Sequence, residues 1–325
     1  MKGMSTLTIS LITRNRSQFL KKGLFEMFEG IKENNLILNI FDNSSETDRE
    51  TYKIYEELKK QYEKVFYYGT NKELSYPENC KRAFEKFNDS DYSLIIGDSN
   101  YISKENLEDI LNILKTKRYD ILVLNSGRVK DIKTNKEYID KQEFFEELTW
   151  HCTLIGSTIY KKEFLETAIN RGIYEKYTGN DFFQLGILLE GLYYKEDCKV
   201  FFIQKKSLTS VKIPKESYWR KNTFKTFGED WIEFIEMLPQ DLKNKEEVIK
   251  SHGIKSKLFT FSGFLKLRAQ GIFNKSELNN NKKMILKLTN LKNRELKWIS
   301  IFPKNFLLNS INLFLKLRDI FKLEK

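Results

Sequence analysis

The stretch Tyr92-Ser-Leu-Ile-Ile-Gly-Asp98-Ser99-Asn100-Tyr101 begins as an apolar run and stops abruptly in polar residues. As a buried strand it delivers a carboxylate to the carboxyl edge of a sheet, where ligands of open α/β sheets bind. The same residues also suit a plain strand followed by a helix cap, since Asp and Ser are ordinary turn and cap residues. The flanking chain has to separate the two readings.

Upstream, Leu7 to Thr13 is a short β-branched run that ends in Arg14-Asn15-Arg16-Ser17. Phe19, Leu20, Leu24, Phe28 and Ile31 then recur at helical spacing, with Ser17 as a plausible cap. Leu36 to Phe41 reads as a second strand, closed by Asp42-Asn43-Ser44-Ser45, and a polar helix is expected from about Thr47 to Tyr62. Val65 to Tyr68 reads as a third strand, and Pro77 opens a helix carrying Cys80, Ala83, Phe84 and Phe87. After the opening stretch come a helix marked by Leu107, Ile110, Leu111 and Leu114, and a fifth strand at Ile121 to Leu124. This alternation predicts a mostly parallel, three-layer α/β sheet. Asp42 and Asp98 then project from one sheet edge, beside an Arg-rich turn. Two acids and arginines there could clasp a nucleotide, the acids on base and ribose and the arginines on phosphate. A dehydrogenase-type sheet would need a Gly-rich loop after its first strand, but Thr13 to Ser17 has no glycine, and no GxxxxGK[ST] occurs.

Farther on, Gly127 to Tyr138 is polar, with a turn at Lys133 to Lys136 that would suit a hairpin. Lys141 to Leu148 reads as a helix, and Trp150-His151-Cys152-Thr153 leads into an expected strand at Leu154 to Tyr160. Tyr177-Thr178-Gly179-Asn180-Asp181 breaks the pattern before a Leu-rich helix that stops at Gly191. Asp181 is expected in the first turn of that helix, where the dipole favours negative charge and where an Asp is also an ordinary cap.

Composition narrows the classes. Forty per cent hydrophobic residues support a packed core. No apolar run approaches the roughly 18 residues of a membrane span, and Met1 to Thr13 lacks the features of a signal peptide. Cys80, Cys152 and Cys198 are odd in number and widely spaced, which suits a reduced, cytoplasmic protein without a zinc site. The net charge of +11 is uneven. Residues 1–204 carry 30 Lys and Arg against 33 Asp and Glu, a net of −3, and residues 205–325 carry 26 against 12, a net of +14. A basic region of this kind attracts phospholipid, nucleic acid or a phosphate-bearing substrate, or is a solvated Lys-rich surface.

Four motifs in order resemble a family 2 glycosyltransferase of the GT-A fold, bacterial surface-glycan type. Ile9 to Arg16 resembles the family's opening strand and Thr-x-Asn-Arg turn, and Phe41 to Ser45 its second-strand Asp-Asn turn. Ile96 to Asn100 falls where the family keeps a DxD-type motif, and Gly179 to Phe182, with the Leu-rich helix behind it, resembles its Gly-Glu-Asp motif. The resemblance spans about residues 5–205, a GT-A catalytic domain, followed at 206–325 by a basic, aromatic-rich, mostly helical C-terminal region. It implies an inverting transferase that moves a sugar from a nucleotide-diphosphate donor, a UDP-hexose or UDP-N-acetylhexosamine, to a glycan or lipid-linked glycan acceptor. It places Asp181 as catalytic base, Asp42 on the nucleobase, and Thr13, Arg14 and Arg16 along the nucleotide. Asn79, Arg82 and Ser99 join the donor pocket, and Asp98 sits at the ribose and metal. The implied cofactor is a divalent metal, Mn²⁺ or Mg²⁺.

Two departures bear on that implication. Asn100 stands where the second acid of the motif is expected, which weakens the metal site, because an amide oxygen is a poorer ligand than a carboxylate. Asn180 stands where the family usually has Glu. His151 is a further candidate ligand, with a structural histidine as the alternative.

In the C-terminal third, Trp219, Phe224, Phe227, Trp231, Phe259, Phe261, Phe264, Trp298, Phe302, Phe306, Phe314 and Phe321 are interleaved with basic residues. That profile suits a peripheral membrane surface on the inner face of the cell membrane, or a helical cap packed on the sheet. No nucleic-acid-binding signature is present. The departures also leave open a catalytically degenerate protein that binds a sugar nucleotide or a partner transferase.

Overall fold

The computed structural model describes residues 5–45, 49–86, 90–212 and 222–309. The chain divides near residue 215 into two compact units, with Leu238–Leu242 belonging to the first. The expected helix start at Thr47, and Phe87, Trp219 and the terminal pattern through Phe314 and Phe321, lie outside the described residues.

The first unit runs β1 (Ser5–Thr13), α1 (Ser17–Glu33), β2 (Ile37–Asp42), α2 (Glu50–Gln61), β3 (Val65–Tyr68), α3 (Tyr76–Phe84), β4 (Ser90–Gly97), β5 (Asn100–Tyr101) and α4 (Lys104–Leu114). It continues with β6 (Ile121–Asn125), β7 (Lys136–Tyr138), α5 (Lys141–Cys152), β8 (Thr158–Lys161), α6 (Lys162–Asn170), α7 (Ile173–Tyr177), α8 (Phe183–Tyr194), β9 (Val200–Lys206) and β10 (Thr209–Ser210). Eight strands form one sheet in the order β3-β2-β1-β4-β8-β6-β9-β7, and β5 and β10 pair separately. Leu7, Ile9, Leu11, Leu38, Ile40, Leu94 and Ile96 are buried with Leu20, Leu24, Leu107 and Ile110 in one core cluster. Both faces of the central strands are covered, so Thr8 and Ser10, which alternate with the apolar residues of β1, are fully buried as well.

The parallel pairs β1–β2 and β1–β4 set the geometry that matters. From β1 the chain steps outward to β2 and β3, then returns to the other side of β1 as β4. The sheet therefore has a topological switch point between β1 and β4, and a crevice opens outside the carboxyl ends of strands at such a point.

Three local expectations are corrected. The strand expected at Leu154 to Tyr160 forms only from Thr158, because α5 extends through His151 and Cys152. It runs antiparallel to both β4 and β6. No hairpin forms over Gly127 to Tyr138; β7 pairs with the distant β9 instead. A strand of three residues carries too little local preference to choose its partner. Asp181 lies in the turn before α8, two residues ahead of its first helical residue.

The second unit is helical: a π-helical turn (Lys225–Asp230), α9 (Trp231–Met237), α10 (Lys245–Lys255), α11 (Phe261–Ala269), α12 (Lys275–Asn280), α13 (Lys282–Lys287) and α14 (Asn293–Ile301). Trp231, Phe234, Phe259, Phe264, Phe273 and Leu296 are buried within it. The Trp231 indole N–H donates to the Ile249 carbonyl (3.1 Å). No helix among the described residues is long and apolar enough to cross a membrane.

Candidate active site

The sheet register sets Thr13 beside Asp42 and Ile12 beside Gly97, so Thr13, Asp42 and Asp98 leave the sheet at one edge, at the switch point. All three are buried. A buried carboxylate must have its lone pairs satisfied. Asp98 accepts from Thr13 Oγ1 at Oδ2 (2.8 Å) and pairs with Arg16 Nη1 at Oδ1 (3.2 Å). The Arg16 guanidinium also lies 4.3 Å from the Phe19 ring centroid, which holds it over the first turn of α1. Asp42 accepts from the Ser44 backbone N–H (2.8 Å) and from the Tyr67 hydroxyl (2.8 Å). Burial, reinforced by the bond to Asp42, raises the Tyr67 pKa well above its ordinary value, so the phenol stays a donor.

Loops beyond the strands are tied together. Asn43 donates to the Leu74 carbonyl (2.6 Å) and accepts from the Leu74 N–H (3.1 Å). Asn15, at positive φ, donates its backbone N–H to Ser44 Oγ (2.8 Å), and its side-chain oxygen accepts from the Ser45 N–H (2.9 Å). Arg14 turns outward to Glu73. Ser75 and Glu78 form a capping box that starts α3 with Pro77 in its first turn. From α3, Asn79 donates to the Phe41 carbonyl (3.4 Å) and accepts from Arg82 Nη1 (3.0 Å). Arg82 Nη2 donates to the Tyr68 carbonyl (2.7 Å). Burial lowers the Arg82 pKa, and the nearby Asp42 charge opposes that shift. Lys81, the other basic residue of this turn, faces away and pairs with Glu175 (2.7 Å).

Asp181 is half-buried in a turn shaped by its neighbours. Gly179 takes φ +101°, which favours glycine. Asn180 Oδ1 accepts from the Phe182 N–H (2.9 Å) and the Asn180 N–H donates to the Tyr177 carbonyl (3.1 Å). Phe183 packs against Tyr174 (5.3 Å between centroids), Tyr76 (6.0 Å) and Phe84 (6.3 Å). The turn bearing Asp181 is thereby held against α3, the helix of Asn79 and Arg82. The short helix α7 reinforces this link. Tyr174 bonds the Pro77 carbonyl, and Lys176 and Tyr177 bond the buried Glu190 of α8.

Asn100 lies in β5, where its Oδ1 accepts from Ser210 Oγ (3.0 Å), and the Ser99 carbonyl accepts from the Val211 N–H (2.8 Å). His151 is fully buried. Its Nε2 is 2.9 Å from the Leu124 carbonyl, so that nitrogen carries the proton. Burial pushes its pKa down to about 4. This is the arrangement of a structural histidine, the alternative that the sequence left open.

For a divalent cation the donor set is poor. Both Asp98 oxygens are engaged, one of them by a guanidinium, and the Asn100 amide oxygen is engaged by Ser210. Among the described residues no three His, Cys, Asp or Glu come together as ligands. Hard cations select anionic oxygens, and here the one carboxylate is already neutralised. Among the described residues, this donor set does not make a protein-held Mn²⁺ or Mg²⁺ site.

Tyr67, Asn43, Asn15 and Ser210 were not singled out from sequence as site residues. Asn15 and Asn43 sit inside the motifs quoted above and could have been flagged as turn residues. Tyr67 and Ser210 meet their partners across 25 and 110 residues and leave no local signal.

No protein-family model and no curated protein sequence matches the chain. Solved structures do. Staphylococcus aureus TarS 1–349 in complex with UDP-GlcNAc is 16% identical with a TM-score of 0.55, over 87% of this chain and 79% of that one. The mannosyltransferase PcManGT from Pyrobaculum calidifontis, in complex with GDP-Man and Mn²⁺, is 11% identical with a TM-score of 0.51, over 94% and 86%. At such identities the likeness is one of fold: the chain has the GT-A glycosyltransferase fold, a mixed α/β sheet followed by a helical C-terminal region.

Proposed function

We propose that the protein transfers a sugar from a nucleoside-diphosphate donor to a hydroxyl of a glycan acceptor, with inversion at the anomeric carbon. UDP-hexose or UDP-N-acetylhexosamine is the favoured donor, and bacterial surface-glycan assembly the favoured setting. One observation carries the reading: Asp42 and Asp98, both buried and both held in place by hydrogen bonds, leave the two strands that flank β1 at one sheet edge, with Arg16 paired to Asp98. Asp42, with Asn79 and Arg82 beside it, suits the nucleobase end. Asp98 with Thr13 suits the ribose. Arg16 suits the diphosphate, where negative charge grows as the bond breaks.

Asp181 is the general base in this reading. It takes the proton of the acceptor hydroxyl as that oxygen attacks C1. The C1–O bond to the diphosphate breaks with its electron pair leaving on the nucleoside diphosphate, and a single displacement inverts the centre. Asn180, where a second acid was expected, serves the backbone of this turn.

A thermal-shift panel of UDP-, GDP-, CMP- and dTDP-sugars tests the reading. A shift with at least one nucleotide sugar, with slow donor hydrolysis that collapses in Asp181→Asn while the shift is kept, supports it. Absence of any shift removes the donor site, and unchanged turnover in Asp181→Asn removes the base. Binding without turnover in the wild type favours a degenerate, non-catalytic member.

A further inference from the structure

The second unit carries an aromatic ridge that its own core does not use. Phe261 is 42% exposed, Trp298 48%, Ile301 65% and Phe306 61%. The rings form a continuous row: Phe261 to Trp298 is 6.1 Å between centroids, Trp298 to Phe302 4.7 Å, and Phe302 to Phe306 5.8 Å. Helix α14 explains the row. Its buried residues are Leu296, Ile299 and Ser300. Arg294, Trp298 and Ile301, spaced i, i+4, i+7, share the opposite face. The helix therefore has one apolar stripe for the core and a second for the outside. An open groove of about 410 Å³ runs along it, lined by Phe261, Arg294, Glu295 and Trp298. Arg268 Nε donates to the Phe302 carbonyl (2.9 Å), fixing the ridge where α14 ends.

The charge around the ridge is predominantly positive. Residues 255–309 hold twelve Lys and Arg against two Glu. Among the described residues, Lys266, Arg294, Lys297 and Lys304 form no ion pair. Exposed Trp and Phe flanked by unpaired Lys and Arg match a lipid interface chemically: the rings enter the headgroup and acyl boundary while the cations meet anionic headgroups. Self-association through this face would bring two strongly basic surfaces together.

We infer that the Phe261–Trp298–Ile301–Phe306 ridge is a docking surface for an anionic phospholipid bilayer. The inference stands independently of the proposed transfer reaction.

The full chain is mixed with phosphatidylcholine vesicles, with and without about one-third phosphatidylglycerol. Co-sedimentation is expected only with phosphatidylglycerol, falling about tenfold or more between roughly 0.1 and 0.5 M NaCl. A blue shift of tryptophan emission on binding is expected, and its loss in Trp298→Phe assigns it to the ridge. Phe261→Ser with Trp298→Ser is expected to lower binding about tenfold or more at unchanged Tm. Should that variant lose stability, Arg294→Gln with Lys297→Gln and Lys304→Gln tests the same surface through charge alone. The inference is overturned by no sedimentation with phosphatidylglycerol, by equal binding to phosphatidylcholine alone, by a charge variant that binds like wild type, or by a Trp298 blue shift that tracks protein concentration without vesicles.

Discussion

Glu190→Gln tests whether α7 is what holds the turn of Asp181. Glu190 is buried on α8, where Tyr177 donates to its Oε1 (2.8 Å) and Lys176 pairs with the same oxygen. Both partners belong to α7, the helix that leads into Thr178 and Gly179. Gly186 shows how closely these helices meet: a Cβ there would lie 2.2 Å from the Tyr177 ring. Glutamine keeps the shape of the side chain and removes the charge. Hydrogen bonds to charged groups contribute about 1.5–3 kcal/mol and neutral ones about 0.5–1.5, so each bond loses about 1 kcal/mol. Lys176 is half-exposed, and its share is discounted for solvent screening. The total is about 1–2 kcal/mol, which multiplies local opening by roughly 5–30. Hydrogen exchange is the assay. Amides of 173–182 are expected to exchange roughly 5–30 times faster, with amides of β1, β2 and β4 unchanged. Nucleotide affinity is expected to be unchanged, because Glu190 touches none of Thr13, Asp42 or Asp98. Unaltered exchange in α7 would refute the anchoring role; equal acceleration in the sheet strands would show a global rather than a local effect.

Other expectations follow from the same geometry. Tyr67→Phe leaves one oxygen of the buried Asp42 carboxylate without its donor and is expected to cost about 1–3 kcal/mol in urea unfolding. With Asp98 paired to Arg16 and the Asn100 amide bonded to Ser210, nucleotide binding by calorimetry is expected to survive EDTA; Asn100→Asp, which adds a second carboxylate, is expected to make Mn²⁺ tighten it. His151 is held at a pKa of about 4 against 6.5 for the free group, so the unfolded chain takes up a proton that the folded chain refuses. Stability is therefore full above pH 6.5 and declines as the pH falls towards 4, by about 3 kcal/mol in total. His151→Gln, which keeps a donor for the Leu124 carbonyl, is expected to flatten that part of the pH–stability curve.

Much of the sheet was legible because its signals are local. Strands β1, β2, β4 and β6, five to nine residues long, show as largely apolar runs from Leu7, Leu36, Tyr92 and Ile121 that end in polar residues, and helical spacing fills the intervals. The acidic strand ends at Asp42 and Asp98 were visible for the same reason. Legibility failed where elements are short. At three or four residues, β7 and β8 carry too little pattern to reveal their length or partner, and α5 absorbed residues that looked like a lead-in to a strand. The helix of Asp181 began later than expected because the Asn180 side chain closes a turn ahead of it.

The sequence by itself determined that two carboxylates would leave parallel strands, and that the positive charge would gather in the last third. Hydrophobic periodicity and composition are properties of the chain, and they survive without a partner. Only the tertiary structure decided what each acid meets: Thr13 and Arg16 on Asp98, Tyr67 on Asp42, Ser210 on Asn100, and Glu190 behind the turn of Asp181. The bonds of Thr13 and Ser210 span 85 and 110 residues, and strand order and register alone bring such residues within 3 Å. Whether Asp98 is open to a metal or closed by an arginine depends on those contacts, because a buried carboxylate takes its character from whichever donors the fold sets around it.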